Sequence, residues 1–364
     1  MKLFNLMFLW CGSLAVYGQP PDAKNLGAAA DYLASRNGHA MLVYHKNELI
    51  FEKYFNGHSA DKPHRLASGT KSFSGVMAAA AVDDKLLTWD EPVADTITEW
   101  KDDPRLSRIT VRQLLGLTSG MDAGRVGKVP GYAEAISSHA KHEPGSTFQY
   151  GPAPFQVFGE LMKRKLDDKH PLEYLEERIF EPIGLNYAFW RKGKDGNPHL
   201  PSGVALTAKE WAKFGLLVLD GGRDVISKDN LSQCFKGSKA MRGYGITFWL
   251  GDGTRLPKGI ISAAGAGKQK LYIFPERDLL VVQFAESINF KENEFWNILL
   301  GRPEKGEGDM ERSRMFTQRD ANEDGVITAN EVHSPLIFKV IDADRDGKVT
   351  PKELEAYIKR RERR

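Results

Sequence analysis

Two hydrophobic periods alternate along the chain between about residues 25 and 300. Residues 41–44 and 48–55 are strand-like runs flanking Lys46-Asn47, and residues 271–274 and 279–284 flank Pro275-Glu-Arg-Asp278 in the same way. Each pair predicts a β-hairpin, so strands lie near both ends of the region. Between them, apolar residues recur at helical spacing over residues 72–83, 111–117, 155–165, 171–179 and 208–219. This order predicts a sheet assembled from both ends with helices inserted between.

The first eighteen residues break from this pattern. Lys2 precedes a mostly apolar run at residues 3–16, and Val16 and Gly18 stand at the −3 and −1 positions of a cleavage site. The run is interrupted by Asn5, Gly12 and Ser13 and is too short to span a bilayer, which needs about 20 apolar residues. Residues 1–18 are therefore read as a secretory signal, with the product secreted or periplasmic and not stably inserted in a membrane. Removing them takes Cys11, leaving Cys234 as the only cysteine, so no intrachain disulfide is available and a full apolar core must hold the fold. Cys234 reads as a buried apolar residue, since no activating base adjoins it in sequence.

Composition narrows the function without naming it. With 41% hydrophobic and 27% charged residues the 364-residue chain is globular, and a formal net charge of +3 with scattered Lys and Arg gives no footprint for nucleic acid. The nine histidines show no metal-ligand spacing and are expected on loops. The closing run at residues 359–364 reads as a solvated helix end.

After Arg302 the composition shifts to a charged, glycine-containing stretch (PEKGEGD, residues 303–309), which sets a domain plan of 25–300, a linker at 301–314 and a C-terminal module at 315–360. The module repeats with a period of 22: Phe316, Asp320, Asn322, Asp324, Gly325, Ile327, Thr328 and Glu331 are echoed by Phe338, Asp342, Asp344, Asp346, Gly347, Val349, Thr350 and Glu353. Each unit fits a twelve-residue calcium loop, because the ion takes six to eight oxygens and glycine at position 6 allows the chain to wrap it. The expected ligands are Asp320, Asn322, Asp324, Val326, Thr328 and Glu331, then Asp342, Asp344, Asp346, Lys348, Thr350 and Glu353, with Val326 and Lys348 contributing only carbonyls. Two structural Ca2+ ions follow, and no catalytic cofactor is expected. The arrangement resembles paired EF-hands. Only residues 332–341 separate the loops, so one helix bent near Pro335 is expected to serve both, closer to dockerin modules than to a calmodulin-type sensor. A docking partner for the tail is one consequence.

In the larger region, three Ser-x-x-Lys matches occur. Pro63 follows Ser59–Lys62, and a polar loop follows Ser138–Lys141, whereas Ser68–Lys71 opens a long apolar helix. Three residues apart on a helical turn, Ser68 and Lys71 share a face. A serine hydroxyl needs an adjacent base, and a lysine serves only where burial or a nearby positive charge lowers its pKa. The helix N-terminus favours negative charge at Ser68.

Further segments follow in order: VDDKLLTWDEPV at residues 82–93, ITVRQLLGLTSGM at 109–121, YGP at 150–152, ALTAKEWAKFG at 205–215 and AAGAGKQ at 263–269. With Ser68 and Lys71 they resemble the serine β-lactamase and penicillin-binding-protein superfamily, in particular its class C-like branch of esterases, D-aminopeptidases and amide-oligomer hydrolases. The resemblance implies an α/β (α+β) fold with an antiparallel sheet flanked by helices and an inserted all-helical domain. It implies Ser68 as acylated nucleophile, Lys71 as base or proton relay, Tyr150 as second proton-transfer group, and the backbone N–H groups of Ser68 and Ala266 as oxyanion hole. Tyr150 also reads as a phenol packed beside Phe148 and Phe155. Residues 190–192 and 244–249 are candidates for either the acyl cleft or the core.

Two positions depart from the branch. Pro152 stands where Asn is common, and Ala263 and Ala264 replace the Lys or His and the Thr that orient the carboxylate and amide of a β-lactam or D-peptide. The reading is a secreted serine hydrolase acting on a small ester or amide, or a cell-wall-derived one, with esterase action favoured over β-lactamase action. The alternatives are a penicillin-binding-like protein that holds cell-wall peptide without turnover, and D-aminopeptidase or β-lactamase activity.

Overall fold

The strand-like runs from the two ends of the long region meet in one sheet. The computed structural model describes residues 18–287, 289–302, 316, 320, 325–331 and 335–362, which fall into two compact units divided between Leu300 and Gly301. Residues 1–17 of the expected signal and 303–314 of the expected linker lie outside the described residues.

The first unit begins with α1 (Ala23–Ser35), the hairpin β1 (Gly38–His45) and β2 (Glu48–Tyr54), the short β3 (His64–Arg65) and α2 (Lys71–Asp83). A helical stretch follows, with α3 (Val111–Leu115), α4 (Tyr132–Ile136), α5 (Ala153–Lys165) and α6 (Pro171–Leu175), the last continued by a π-helical turn at Glu176–Phe180. Then come β4 (Phe189–Trp190), β5 (Val204–Leu206), α7 (Ala208–Leu219), α8 (Lys228–Gln233), β6 (Trp249–Leu250), β7 (Ile261–Gly265), β8 (Gln269–Phe274), β9 (Leu279–Ala285) and α9 (Glu292–Leu299). The main sheet has the order β2-β1-β9-β8-β7-β6 with every neighbouring pair antiparallel, and β3-β5-β4 form a smaller one. This is a mixed α/β fold with an antiparallel sheet.

The period of two explains the layers. Ala40 and Leu42 of β1 and Leu280, Val282 and Phe284 of β9 face one core with α2, α5 and α7. Met41, Val43, Leu279, Val281 and Ala285 face the other, against Leu26, Ala29, Ala30 and Leu33 of α1 and Phe295, Trp296 and Leu299 of α9. Burial on both faces is why β1 and β9 read as continuous apolar runs.

Helix α2 lies inside the first core, and every residue from Lys71 to Ala81 is buried. Its first turn is held by Phe73, whose ring packs against Phe214 at 4.3 Å, Phe180 at 5.3 Å and Trp190 at 5.8 Å. Cys234 is fully buried beside the same helix, its Sγ donating to Gly75 O at 3.4 Å, and burial pushes its pKa up. The run at 111–117 ends early, because the helix gives way at Gly116 and Leu117 turns left-handed at φ +57°.

In the second unit the period-22 repeat builds a two-stranded ladder, β10 (Ile327–Thr328) against β11 (Lys348–Val349), with Ile327 opposite Val349. Phe316, Ile327, Phe338, Ile341, Val349 and Leu354 form its core. Between the loops a helix is described over Pro335–Ile341, and residues 332–334, where the expected bend near Pro335 would begin, lie outside the described residues. A final helix spans Pro351–Glu362, and no described helix is long and apolar enough to cross a membrane.

Candidate active site

Ser68 does not lie in α2 itself. It sits on a 3-10 turn, Ala67–Thr70, that enters the helix, after Ala67 adopts φ +47°. A left-handed alanine costs about 1–2 kcal/mol, and it is tolerated here because both sides are pinned. Leu66 N donates to Val204 O at 3.1 Å, and Gly69 N to Leu66 O at 2.9 Å. The turn keeps Ser68 partly exposed while Lys71, three residues on, is buried at 4% exposure.

The two side chains meet. Lys71 Nζ donates to Ser68 Oγ at 3.2 Å and to the Pro201 carbonyl at 3.0 Å, and it lies 4.9 Å from the ring centroid of Tyr150 and 5.2 Å from that of Phe155. Burial pulls its pKa down to about 7, so near neutrality about half the molecules carry a free amine aimed at a hydroxyl. Pro201 lies 130 residues away, and nothing in the sequence marked it.

Tyr150 is half-buried at the start of the segment leading into α5, stacked on Trp249 at 5.8 Å and 29° and flanked by Tyr244 and Phe148. Its phenol is hydrogen-bonded with the Ser68 side chain, and burial raises its pKa despite that bond. The ring packs among aromatics while its hydroxyl reaches Ser68. Trp190 belongs to the aromatic cluster behind α2, Tyr244 is buried, and Trp249 faces the cleft.

The cleft has a volume of about 660 Å³. Ser68, Tyr150, Trp249, Ala264, Gly265 and Ala266 line it together with the charged Asp252, Arg255, Lys268, Lys270 and Glu292. Lys270 is ion-paired with Glu292. The end of β7 presses on the serine turn: a Cβ at Gly265 would stand 1.9 Å from Leu66 O and 3.1 Å from Gly69 N. Only glycine permits this approach, which sets Ala266 beside Ser68 in the same cleft. The departures are placed too. Pro152 is buried at the cap of α5, Ala263 is buried, and Ala264 lines the cleft.

In the second unit, Asp320 Oδ2 accepts from Gly325 N at 3.0 Å and Asp342 Oδ2 from Gly347 N at 3.1 Å, with both glycines left-handed at φ +87° and +83°. Their Oδ1 atoms are buried and have no hydrogen-bond partner among the described residues, which suits a cation. Carboxylate oxygens of Asp342, Asp344 and Glu353 lie within 4.8 Å of one another. Asp346 Oδ1 accepts from Lys348 N at 2.8 Å. The Thr328 and Thr350 hydroxyls donate to Glu331 and Glu353, each at 2.8 Å. Val326 is described, whereas Asn322 and Asp324 lie outside the described residues.

Comparison with known proteins places this geometry. The beta-lactamase family model matches residues 27–293, and an EF-hand model matches residues 336–359. A curated relative, the 6-aminohexanoate-dimer hydrolase of Paenarthrobacter ureafaciens, is 23% identical over 298 residues, covering 68% of this chain and 72% of that one. Among solved structures, EstCE1, a hydrolase with promiscuous acyltransferase activity, aligns with a TM-score of 0.64 at 14% identity, over 77% of this chain and 97% of that one. A D-stereospecific amidohydrolase from Streptomyces aligns with a TM-score of 0.59 at 15% identity, over 76% and 97%. At these identities the structural likenesses speak for the fold alone.

Proposed function

Since the chain belongs to the beta-lactamase family, we propose that it is a serine hydrolase that forms an acyl-enzyme at Ser68 on a small ester or amide. The observation that carries this reading is the buried Lys71 amine, with its pKa near 7, 3.2 Å from the Ser68 hydroxyl. Lys71 takes the serine proton as Oγ attacks the carbonyl carbon. The resulting oxyanion is held by the N–H groups of Ser68 and Ala266, and the proton passes through Lys71 and Tyr150 to the leaving group. Water then attacks the acyl carbon, losing a proton to the same pair, and the acid departs as Ser68 is restored.

Esterase-like action is favoured over β-lactamase action. Pro152 is buried and Ala263 and Ala264 carry no polar group, so these three positions lack the side chains that in the family orient a β-lactam carboxylate and amide. The names of the similar proteins, an amide-dimer hydrolase, an acyltransferring hydrolase and a D-stereospecific amidohydrolase, are consistent with a broad ester or amide range. The test offers the protein a short-chain chromogenic ester, a chromogenic amide and a cephalosporin beside a fluorophosphonate probe. Ester turnover with labelling at Ser68 and little cephalosporin turnover supports the reading. Absence of both turnover and labelling would instead favour a protein that binds cell-wall peptide without cleaving it.

The close approach of Gly265 makes a separate prediction. Gly265→Ala is expected to displace Ala266 and lower kcat/KM by about 10²-fold or more, the usual effect of losing one oxyanion donor. The melting temperature should fall only modestly, as for a local overpacking of about 1–3 kcal/mol. Ester kinetics and a melting curve on one preparation check both parts.

For the tail, two calcium ions are proposed, the first held by Asp320, Asn322, Asp324, Thr328, Glu331 and the Val326 carbonyl. The second would be held by Asp342, Asp344, Asp346, Thr350, Glu353 and the Lys348 carbonyl. The ions would neutralise clustered carboxylates and order the loops, so the role is structural, stabilising or docking the module. Glu353→Gln is expected to weaken calcium at the second loop at least about tenfold by removing one charge and one of two oxygens, read by calorimetric titration. Chelation should lower the melting temperature of the module and leave ester turnover unchanged. The apolar leader at residues 1–18 supports export as the setting for such calcium loading.

A further inference from the structure

Three histidines that are scattered in sequence converge behind the serine turn. His39 on β1, His58 after β2 and His64 on β3 have ring centroids 5.5, 5.3 and 5.8 Å apart in pairs. His39 Nδ1 lies 3.2 Å from His64 Nε2, and a carboxylate oxygen of Glu286, just past β9, is within 4.8 Å of ring nitrogens of both. We propose that His39, His64 and Glu286 form a binding site for a divalent transition metal ion of the zinc class. The histidines were expected on loops, whereas His39 lies on β1 and His64 on β3.

The geometry already has the spacing of a ligand pair. Two nitrogens at about 2.0–2.1 Å from a tetrahedral ion stand roughly 3.3 Å apart, close to the 3.2 Å observed here. His64 Nδ1 faces the Arg65 carbonyl at 3.1 Å and so carries the proton, which leaves the Nε2 lone pair on the side of His39. In the metal-free chain His39 Nδ1–H donates to that lone pair. On capture of an ion, the His39 proton moves to its Nε2, so both facing nitrogens offer lone pairs with no net proton release.

Two further observations favour a ligand. His58 stacks on His39 at 19°, and its Nε2 is buried with no hydrogen-bond partner among the described residues, an imidazole nitrogen left over beside the pair. A hollow of about 320 Å³ opens on the group, lined by His64, Arg65 and Glu286 with Gln269, Ser287 and residues 266–267, and gives an ion entry and room for water.

The position gives the ion a mechanical consequence. His64 stands four residues before Ser68, and Glu286 adjoins Ser287, whose N–H donates to Gly267 O at 3.1 Å in the loop that carries Ala266. An ion shared by His64 and Glu286 would tie together the two segments that border Ser68 and Ala266.

The test titrates the untagged full chain, saturated with calcium, with Co2+. The expected result is one Co2+ per chain with intense visible bands of a four- or five-coordinate ion, displaced by Zn2+, and a rise in melting temperature of several degrees with Zn2+. His64→Gln and the exposed Glu286→Gln should each weaken binding at least tenfold, whereas a Glu331→Gln/Glu353→Gln variant should bind as the unaltered chain does. Glu286→Gln leaves the folded core untouched, so a weakened site in that variant is not a folding defect. No bound Co2+, binding unchanged by Glu286→Gln, or loss confined to the calcium-loop variant would each overturn the proposal.

Discussion

Ser68→Ala is expected to lower ester turnover by at least about 10³-fold and to abolish labelling by a fluorophosphonate. The loss should be almost wholly chemical. Ser68 Oγ accepts from Lys71 and pairs with the Tyr150 hydroxyl, while the turn around it is held by backbone bonds at Leu66 and Gly69. Lys71 keeps the Pro201 carbonyl when the hydroxyl is gone, so the melting temperature should move by no more than about two degrees. Turnover that survives in Ser68→Ala at the parent rate would remove the acyl-enzyme mechanism, and with it the role given to Lys71.

Lys71→Met should abolish turnover and at the same time make the protein more stable. The lysine is held at 4% exposure with its pKa pulled from 10.5 to about 7 by burial. Between these values the unfolded chain binds a proton that the native chain does not, so this group makes stability rise with pH from about 7 to 10.5, and the penalty is complete below the folded pKa. At pH 7 an apolar side chain of similar length avoids a cost on the order of a few kcal/mol, less the bond to Pro201 O. Melting curves at pH 7 and pH 10 should show the gain at the lower pH shrinking at the higher one. With Lys71 as the proposed base, the same titration should shape the ester kinetics of the unaltered protein: kcat/KM should rise with pH through about 7 as the amine loses its proton, then level off. A flat profile between pH 5.5 and 8.5 would mean that Lys71 is not the base.

Some of this site was legible in the order of residues. The Ser68–Lys71 spacing and the apolar run behind it placed a hydroxyl and an amine on one turn, and helical or 3-10 geometry both keep residues three apart adjacent. The EF-hand-like repeat was legible for a related reason: its acidic and hydroxyl side chains fall within twelve consecutive residues, and the left-handed glycine at the sixth marks the turn. Tyr150 was legible only through the resemblance, since no local rule ties it to a serine 82 residues earlier.

Other parts were beyond any local rule. Ser68 was expected in the first turn of α2, but the left-handed Ala67 and a 3-10 turn lift it out of the helix and keep it partly exposed. The Pro201 carbonyl, the contact of Gly265 with Leu66 and the cleft face of Trp249 all join segments that are far apart in sequence. The histidine group is the clearest case. No spacing in the chain relates His39, His64 and Glu286; they meet because β1 pairs with β9 and β3 lies close by.

The sequence by itself determined the strand and helix periods, the serine with its neighbouring lysine, and the repeated acidic, glycine-containing loops of the tail, because each is written in side chains a few residues apart. Tertiary structure alone decided how far the Lys71 pKa falls, which backbone closes on Ser68, and which histidines share a hollow. Those depend on burial and on distances between strands brought together by a sheet that pairs the two ends of the unit, and a linear order of residues carries neither.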